Sequence, residues 1–249
     1  MTELIQGKQA VLEALKAGRA MNRIYIARGT KESIAEIKDL ARSQGIPMET
    51  IERAYMTRMV HSEKHQGIMA AVAPVAYKNI EDLLDVAKAK EEPPFIVLLD
   101  GIEDPQNLGA ILRTAEACGV HGVVIPKRRA AAVTDTVEKS SAGAASHVPI
   151  ARVPNLNQTI DTLKDQGLWI VGLVPEGQET YVEVDLKGSI GIVIGAEGAG
   201  ISHLTKQKCD FLVKIPMAGE IASLNASVSA ALILYEVMKQ RKPEAFSNK

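Results

Sequence analysis

The chain has 249 residues, enough for one large or two modest domains. It is 46% hydrophobic and 24% charged with a formal net charge of −1, so overall charge names no partner, and aromatics at 4% argue against a broad base-stacking platform. No apolar leader and no 18-residue apolar run occurs, so neither secretion nor membrane spanning is expected; two isolated cysteines, Cys118 and Cys209, and five scattered histidines fit a reduced cytoplasmic chain with no metal site.

Residues 1–76 read as a small α/β domain. "GKQAVLEALKAG" places Val11, Leu12 and Leu15 on one helical face and stops at Gly18. "RIYIA" is a strand. "KESIAEIKDLARSQG" is an amphipathic helix with Ile34, Ile37, Leu40 and Ala41 at 3–4 spacing and Gly45 as its C-cap. A strand at "PMETI", a short helix at "AYMTRMV" and a strand at "GIMAAVAPV" follow. Residues 1–78 hold 12 Lys and Arg against 8 Asp and Glu, and the rest of the chain holds 17 against 22. The asymmetry fits a basic N-terminal module on a less basic body.

Residues 77–94 read as a linker with an exposed helix, "NIEDLLDVAKAKEEPP", ended by Pro93 and Pro94. Residues 95–249 form the second domain. It opens on "FIVLLDG", an apolar strand of the kind buried on both faces. Helix "NLGAILRTAEACGV", strand "GVVIP", basic turn "KRR", helix "VTDTVEKSSAGAA" and strand "VPIARV" come next. Helix "NLNQTIDTLKDQG", strands "LWIVGLV", "GSIGIVIG" and "FLVKIPM", and a long helix "SLNASVSAALILYEVMKQR" complete the chain. Strands alternating with helices imply a parallel sheet covered on both faces.

Three stretches of this domain each leave a strand and enter a helix. In "DGIEDPQNLGAILRTAEACGV", neither Asn107 nor Arg113 is required by packing, although Asn107 also reads as a helix cap and Arg113 as an ion-pair partner. In "GIVIGAEGAG", Gly195, Gly198 and Gly200 permit close backbone approach, and Glu197 is the lone charge. That loop suits a cationic ligand or an adenosine without phosphates; a tight strand-to-helix turn is the plainer reading. In "IPMAGEIASLNASVSAALILYEV", Ser223 or Asn225 can cap a helix that begins with small residues. Open parallel sheets bind ligands at the C-terminal ends of their strands, so the three are expected to gather there.

"DPQNLGAILRTAEACGV", "IVIGAEGAGI" and "IPMAGEIASLNASVSAALILYE" closely resemble, in order, the three motifs of the SpoU/TrmH family of S-adenosylmethionine-dependent RNA 2′-O-methyltransferases. The resemblance spans about residues 94–241. "GKQAVLEAL" and "HQGIMAAV" resemble the small ribosomal-protein-like RNA-binding domain of the RlmB branch, which methylates a guanosine ribose in 23S rRNA. The resemblance implies an α/β trefoil-knot (SPOUT) methyltransferase domain with a parallel sheet, a small N-terminal α/β domain, and a homodimer. It gives Arg113, Asn107, Glu197, Ser223 and Asn225 as the catalytic set. It gives Gly195, Ile215 and Leu224, with Ala196, Gly198, Pro216 and Met217 beside them, as holding S-adenosylmethionine. Composition and spacing show no knot; by themselves they suggest a Rossmann-like sheet.

Transfer to a ribose 2′-hydroxyl needs alignment and removal of a weakly acidic proton. Arginine keeps its proton throughout the ordinary pH range, so Arg113 is expected to hold a phosphate and stabilise alkoxide charge rather than act as base. Phosphate contacts are expected from Lys127, Arg128 and Arg129, and from Lys8, Arg23 and Arg28 in the first domain. His65 and Gln66 fit either RNA contact or a turn. The expected substrate is 23S rRNA in a ribosome precursor. The alternatives are a tRNA or other rRNA ribose, or a non-catalytic RNA-binding assembly protein. A Rossmann dehydrogenase lacks support, because the G-x-G-x-x-G turn and the ribose-binding acid are missing.

Overall fold

The computed structural model describes residues 3–19, 21–30, 34–72, 76–221 and 223–247. Parts of two expected elements, residues 31–33 of the second helix and 73–75 of the "GIMAAVAPV" strand, lie outside the described residues.

Two compact units result, one made of residues 1–76 with 132–147 and the other of 77–131 with 148–249. The first unit begins with β1 (Glu3–Gln6), absent from the sequence reading, then α1 (Lys8–Lys16), β2 (Met21–Ala27), α2 (Ala35–Ser43), β3 (Met48–Ile51), α3 (Arg53–Val60) and β4 (Ile68–Val72). The sheet order is β1-β4-β2-β3. β4 is central and buried along its whole length, and it runs opposite to β1 and β2, while β3 is parallel to β2. Ile5, Val11, Leu15, Ile24, Ile37 and Ile68 make the core. The turn before β4 explains "HQG". His65 is buried; its Nδ1 accepts from Gly67 N at 2.9 Å and its Nε2 meets Thr57 Oγ1 at 3.0 Å. Gln66 Oε1 accepts from Lys8 N at 2.9 Å, at the start of α1. These two residues build a turn.

The second unit starts earlier than expected. α4 (Ile80–Ala89) is no linker helix: Asn79 and Asp82 form a capping box, and Leu83 and Ala87 are fully buried. Leu83 fills the space left by Gly122, where a Cβ would collide with it. Then come β5 (Phe95–Asp100), α5 (Pro105–Ala117) and β6 (Gly122–Pro126). The next helix, α6 (Asp135–Ser140), was expected within the second domain but packs in the first unit. The reason is a buried ion pair: Glu138, with no exposed side-chain surface, meets Arg19. Gln6 also donates to Asp135 at 3.0 Å.

The chain re-enters the second unit with β7 (Ile150–Val153), α7 (Leu156–Asp165), β8 (Trp169–Leu173), β9 (Glu179–Thr180) and β10 (Ile190–Gly195). α8 (His203–Lys208), β11 (Phe211–Lys214) and α9 (Ala226–Arg241) follow; β9 and α8 were not foreseen. The strand order is β7-β6-β5-β10-β8-β11-β9, and every pairing is parallel. Ile96, Leu98, Val124, Ile160, Ile170 and Val193 anchor the core on one face. β5 continues to β6 and β7 on one side, while β10 lies on its other side. The crevice between the ends of β5 and β10 is therefore a point where the chain changes direction across the sheet, the usual ligand position in open α/β sheets.

Candidate functional site

The loops after β5, β8, β10 and β11 share the C-terminal edge of the sheet. After β5, Asp104 caps α5 by accepting from the backbone N of Gln106 and Asn107 at 3.1 Å, with Pro105 in the first helical turn. Asn107 is thus not the cap, and its side chain is left for other work. Leu108, Ile111, Leu112 and Ala115 face the core, and Arg113 is exposed.

After β10 the chain makes a tight loop. Ala196 and Gly200 exchange backbone hydrogen bonds at 3.1 and 2.8 Å. Gly195 is required by close approach rather than by its φ: a Cβ there would overlap the Gly200 carbonyl carbon and the Ile201 nitrogen. Asp100, at the end of β5 and level with Gly195, accepts from Ser202 N at 2.8 Å and pins the far end of the loop. Sequence reasoning passed over Asp100 because a carboxylate at a strand end has no distinctive spacing.

After β11 the chain reaches the N-terminus of α9, capped by Asn225. Its Oδ1 accepts from Ser227 N at 2.9 Å, Ser227 Oγ at 2.6 Å and Val228 N at 3.4 Å. This fixes the amide, since the opposite orientation would set N–H groups against N–H groups. Nδ2 then donates to Asn107 Oδ1 and to Glu197 Oε2, both at 3.0 Å. Asn225 therefore joins all three loops. Arg113 stands apart: among the described residues it makes no hydrogen bond or ion pair. Six residues along α5 from Asn107, it is about 120° around the helix and about 9 Å along it.

Beside this hub lies a cleft of about 600 Å³, within the range of small-molecule sites. Gly195, Ala196, Glu197 and Gly198 form one wall, Ile215, Pro216 and Met217 another, and Ser223 and Leu224 a third. Asn107, Arg113 and Asn225 do not line it. Missing from the sequence reading were Leu173 at the end of β8, Val174 and Pro175 after it, Ile194 of β10, Lys214 of β11, and Ala226 and Ser229 of α9. The Pro-Glu-Gly turn at 175–177, at the same edge, was the available signal. The walls are mainly apolar, with Glu197 and Lys214 as the charged residues. Lys206 of α8 pairs with Glu176 and holds the carboxyl below the usual carboxylate range, tying α8 to that turn.

Lys127, Arg128 and Arg129 are exposed just past the end of β6, on the same edge as Asn107. In the first unit Arg23 pairs with Glu49 and Arg28 with Glu52, and Lys8 is half-buried. Among the described residues no group of three or more His, Cys, Asp or Glu is placed to hold a metal ion, and no helix is long and apolar enough to cross a membrane.

Residues 94–235 match the SpoU rRNA Methylase family, and residues 4–78 match a domain described as RNA 2'-O ribose methyltransferase substrate binding. The chain is 45% identical over 242 residues to a TrmH family tRNA/rRNA methyltransferase, YacO, of Bacillus subtilis, covering 97% of each chain. Its fold is similar to the SpoU methyltransferase AviRb of Streptomyces viridochromogenes, solved in complex with AdoMet, with a TM-score of 0.81, 26% identity and coverage of 96% of this chain and 90% of that one. A solved RNA 2'-O ribose methyltransferase gives a TM-score of 0.76 at 26% identity, covering 96% and 88%. SpoU methyltransferases use S-adenosylmethionine as their cofactor. Matched along most of its length, with the motif loops at one sheet edge, the chain belongs to the SpoU/TrmH family of RNA methyltransferases.

Proposed function

We propose that this chain methylates the 2′-hydroxyl of a guanosine ribose in 23S rRNA, acting on ribosome precursors in the cytoplasm. The observation that carries the reading is the Asn225 hub, which ties Asn107 to Glu197 on the cleft wall. The donor set fits S-adenosylmethionine: an apolar cleft with one acid and one lysine suits a ligand carrying cationic groups and a carboxylate. When bound, that cofactor supplies an electrophilic methyl group.

The protein's own residues do the positioning. With Asn225 committed to α9 and to its two partners, Asn107 keeps its Nδ2 for the substrate, and Glu197 keeps Oε1. Arg113, exposed and unpaired among the described residues, holds the phosphate beside the reacting ribose and stabilises charge growing on the hydroxyl oxygen. The proton leaves to that phosphate or to water, because a guanidinium does not accept it. Ser223 adds a hydroxyl on the cleft wall. Lys127, Arg128 and Arg129 lead the RNA backbone over the β6 side of the edge.

A homodimer is supported by α9, where Val228, Leu232 and Tyr235 form an exposed apolar stripe, 47%, 37% and 45% accessible. Phe246 meets Tyr235 edge-on, with ring centroids 6.4 Å apart, and extends the stripe. A knot is supported by Gly177, where a Cβ would collide with the backbone of Val213 and Lys214, as Gly195 does with Gly200. We take the unit of residues 1–76 with 132–147 as the substrate-binding part and the unit of 77–131 with 148–249 as the methyltransferase part. A tRNA ribose is the second reading, favoured by a relative named for both substrates. Labelled S-adenosylmethionine offered with purified 23S rRNA, 16S rRNA and tRNA from a strain lacking the gene separates them. Label in 23S rRNA supports the proposal, and label in tRNA alone supports the second reading.

A further inference from the structure

The substrate-binding domain matches as a whole, but nothing in that match says which of its surfaces meets RNA. The topology singles out one edge. β1, β2 and β3 run the same way and end together at Gln6, Ala27 and Ile51, and β4 starts beside them at Ile68. Lys8, Arg28 and Arg53 follow these strand ends, and Lys64 lies in the loop leading into β4.

Charge is segregated along the strand direction. Toward the opposite edge the cations are neutralised: Lys16 pairs with Glu36, Arg23 with Glu49 and Arg42 with Asp39. At the near edge Lys8, Arg53 and Lys64, with Arg58 on α3, make no ion pair with a described residue. Arg28 is matched there by an exposed pair with Glu52, and Lys139 by Asp135, which also accepts from Gln6; Glu63 is the other acid. Unpaired cations gathered on one edge are the footprint of a polyanion.

An aromatic ring stands within this charge. Tyr55, on the first turn of α3, is 48% exposed, and its hydroxyl makes no hydrogen bond with a described residue. The Arg58 guanidinium lies 5.7 Å from its ring centroid. A base can stack on the part of the ring left to solvent, with the guanidinium beside it, while neighbouring cations hold the phosphates on either side. Apart from it, on the side of the sheet that α2 covers, Arg28, Thr30, Lys38 and Thr50 join Ile26, Ile34 and Ala35 in lining a groove of about 420 Å³.

We infer that this edge, centred on Tyr55 and Arg58 and flanked by Arg53 and Lys64, binds an unpaired segment of the RNA substrate by stacking one base and neutralising its phosphates. The inference rests on the proposed action on RNA and locates where recognition occurs. Duplex RNA fits less well, because its bases are already stacked.

The test is fluorescence anisotropy of the full chain with a labelled 20-nucleotide mixed-sequence single-stranded RNA, over a range of salt. Tyr55→Ala is expected to weaken binding about tenfold, and Tyr55→Phe, which keeps the ring face, to bind like the parent. The triple change Arg53→Ala, Arg58→Ala and Lys64→Ala is expected to reduce the salt slope by about 2, from three lost phosphate contacts at about 0.7 each. Arg42→Ala, a paired cation at the other edge, leaves binding unchanged. S-adenosylmethionine binding measured by calorimetry on every variant reports an intact methyltransferase unit. Parent RNA binding that survives both Tyr55→Ala and the triple change overturns the inference, as does a parent that binds only the matching duplex. A parent that binds the RNA, loses it in these variants and yet methylates no RNA refutes the proposed reaction and leaves this surface standing.

Discussion

Asn225 donates to Asn107 at 3.0 Å with the same amide whose oxygen caps α9. One side chain thus fixes a helix end and, in the proposed function, the residue that meets the substrate. The two duties separate in Asn225→Asp. Aspartate is as good an N-cap, so thermal stability stays close to the parent. Its second oxygen would face Asn107 Oδ1 and the Glu197 carboxylate, and the hub would open. Methyl transfer is expected to fall on the order of 100-fold, the cost of misplacing a catalytic group by about 1 Å. A variant that keeps full activity removes Asn225 from its positioning role.

Gly195 has no room for a side chain, because the loop closes on itself through Ala196 and Gly200. Gly195→Ala must push the Gly200–Ile201 backbone outward. Overpacking of this kind costs about 1–3 kcal/mol, so S-adenosylmethionine binding by calorimetry is expected to weaken about tenfold or more. Unchanged affinity with an unchanged melting temperature would mean that the loop moves freely and does not shape the cleft.

Arg113 is cast as a phosphate holder, and Arg113→Lys distinguishes that from proton abstraction. Lysine keeps the charge but loses the planar fork, so the rate should drop while the pH–rate profile keeps its shape. A new ionisation in the lysine range would show base chemistry at this position instead.

The methyltransferase unit carries an acid-sensitive joint far from the cleft. His121 is fully buried; its Nδ1 accepts from Phe95 N at 3.0 Å and its Nε2 faces Glu92 at 3.1 Å. Burial holds its pKa below the ordinary 6.5. As pH falls below about 6.5 the unfolded chain takes up this proton first, so the stability present above that value is lost as pH drops through the folded pKa. Lys242 holds Glu92 below the ordinary 4.5, so that contribution is present above 4.5 and lost at lower pH still. Melting temperatures from pH 8 to pH 5 should decline below about 6.5. His121→Asn should flatten that decline; an equal slope in the variant would place the acid sensitivity elsewhere.

Much of the second unit was legible because parallel strands buried on both faces, such as Phe95–Asp100 and Ile190–Gly195, leave unbroken apolar runs between turn residues. That Gly195 to Gly198 and Ile215 to Met217 leave strand ends was legible from the pattern; that they surround one cleft was expected only from the resemblance to the family motifs. The hub was not legible. That Asn225 bonds both Asn107 and Glu197 depends on which strands are neighbours, and the order β5-β10-β8-β11 is not written in local periodicity. The limits of the units were hidden for a similar reason. Glu138 reads as an ordinary helix-surface acid until Arg19 is found against it, 119 residues earlier. β9 and α8 are too short, at 2 and 6 residues, to show a period.

The central claim is the chemistry and its address: one ribose methyl group on 23S rRNA. The direct measurement is mapping of 2′-O-methylation across all RNA from a strain lacking the gene, before and after incubation with the purified protein and S-adenosylmethionine. A single 2′-O-methylated guanosine in 23S rRNA, absent beforehand and restored by the protein, is the predicted result. A methyl group on a base, on tRNA alone, or on no RNA at all would contradict it.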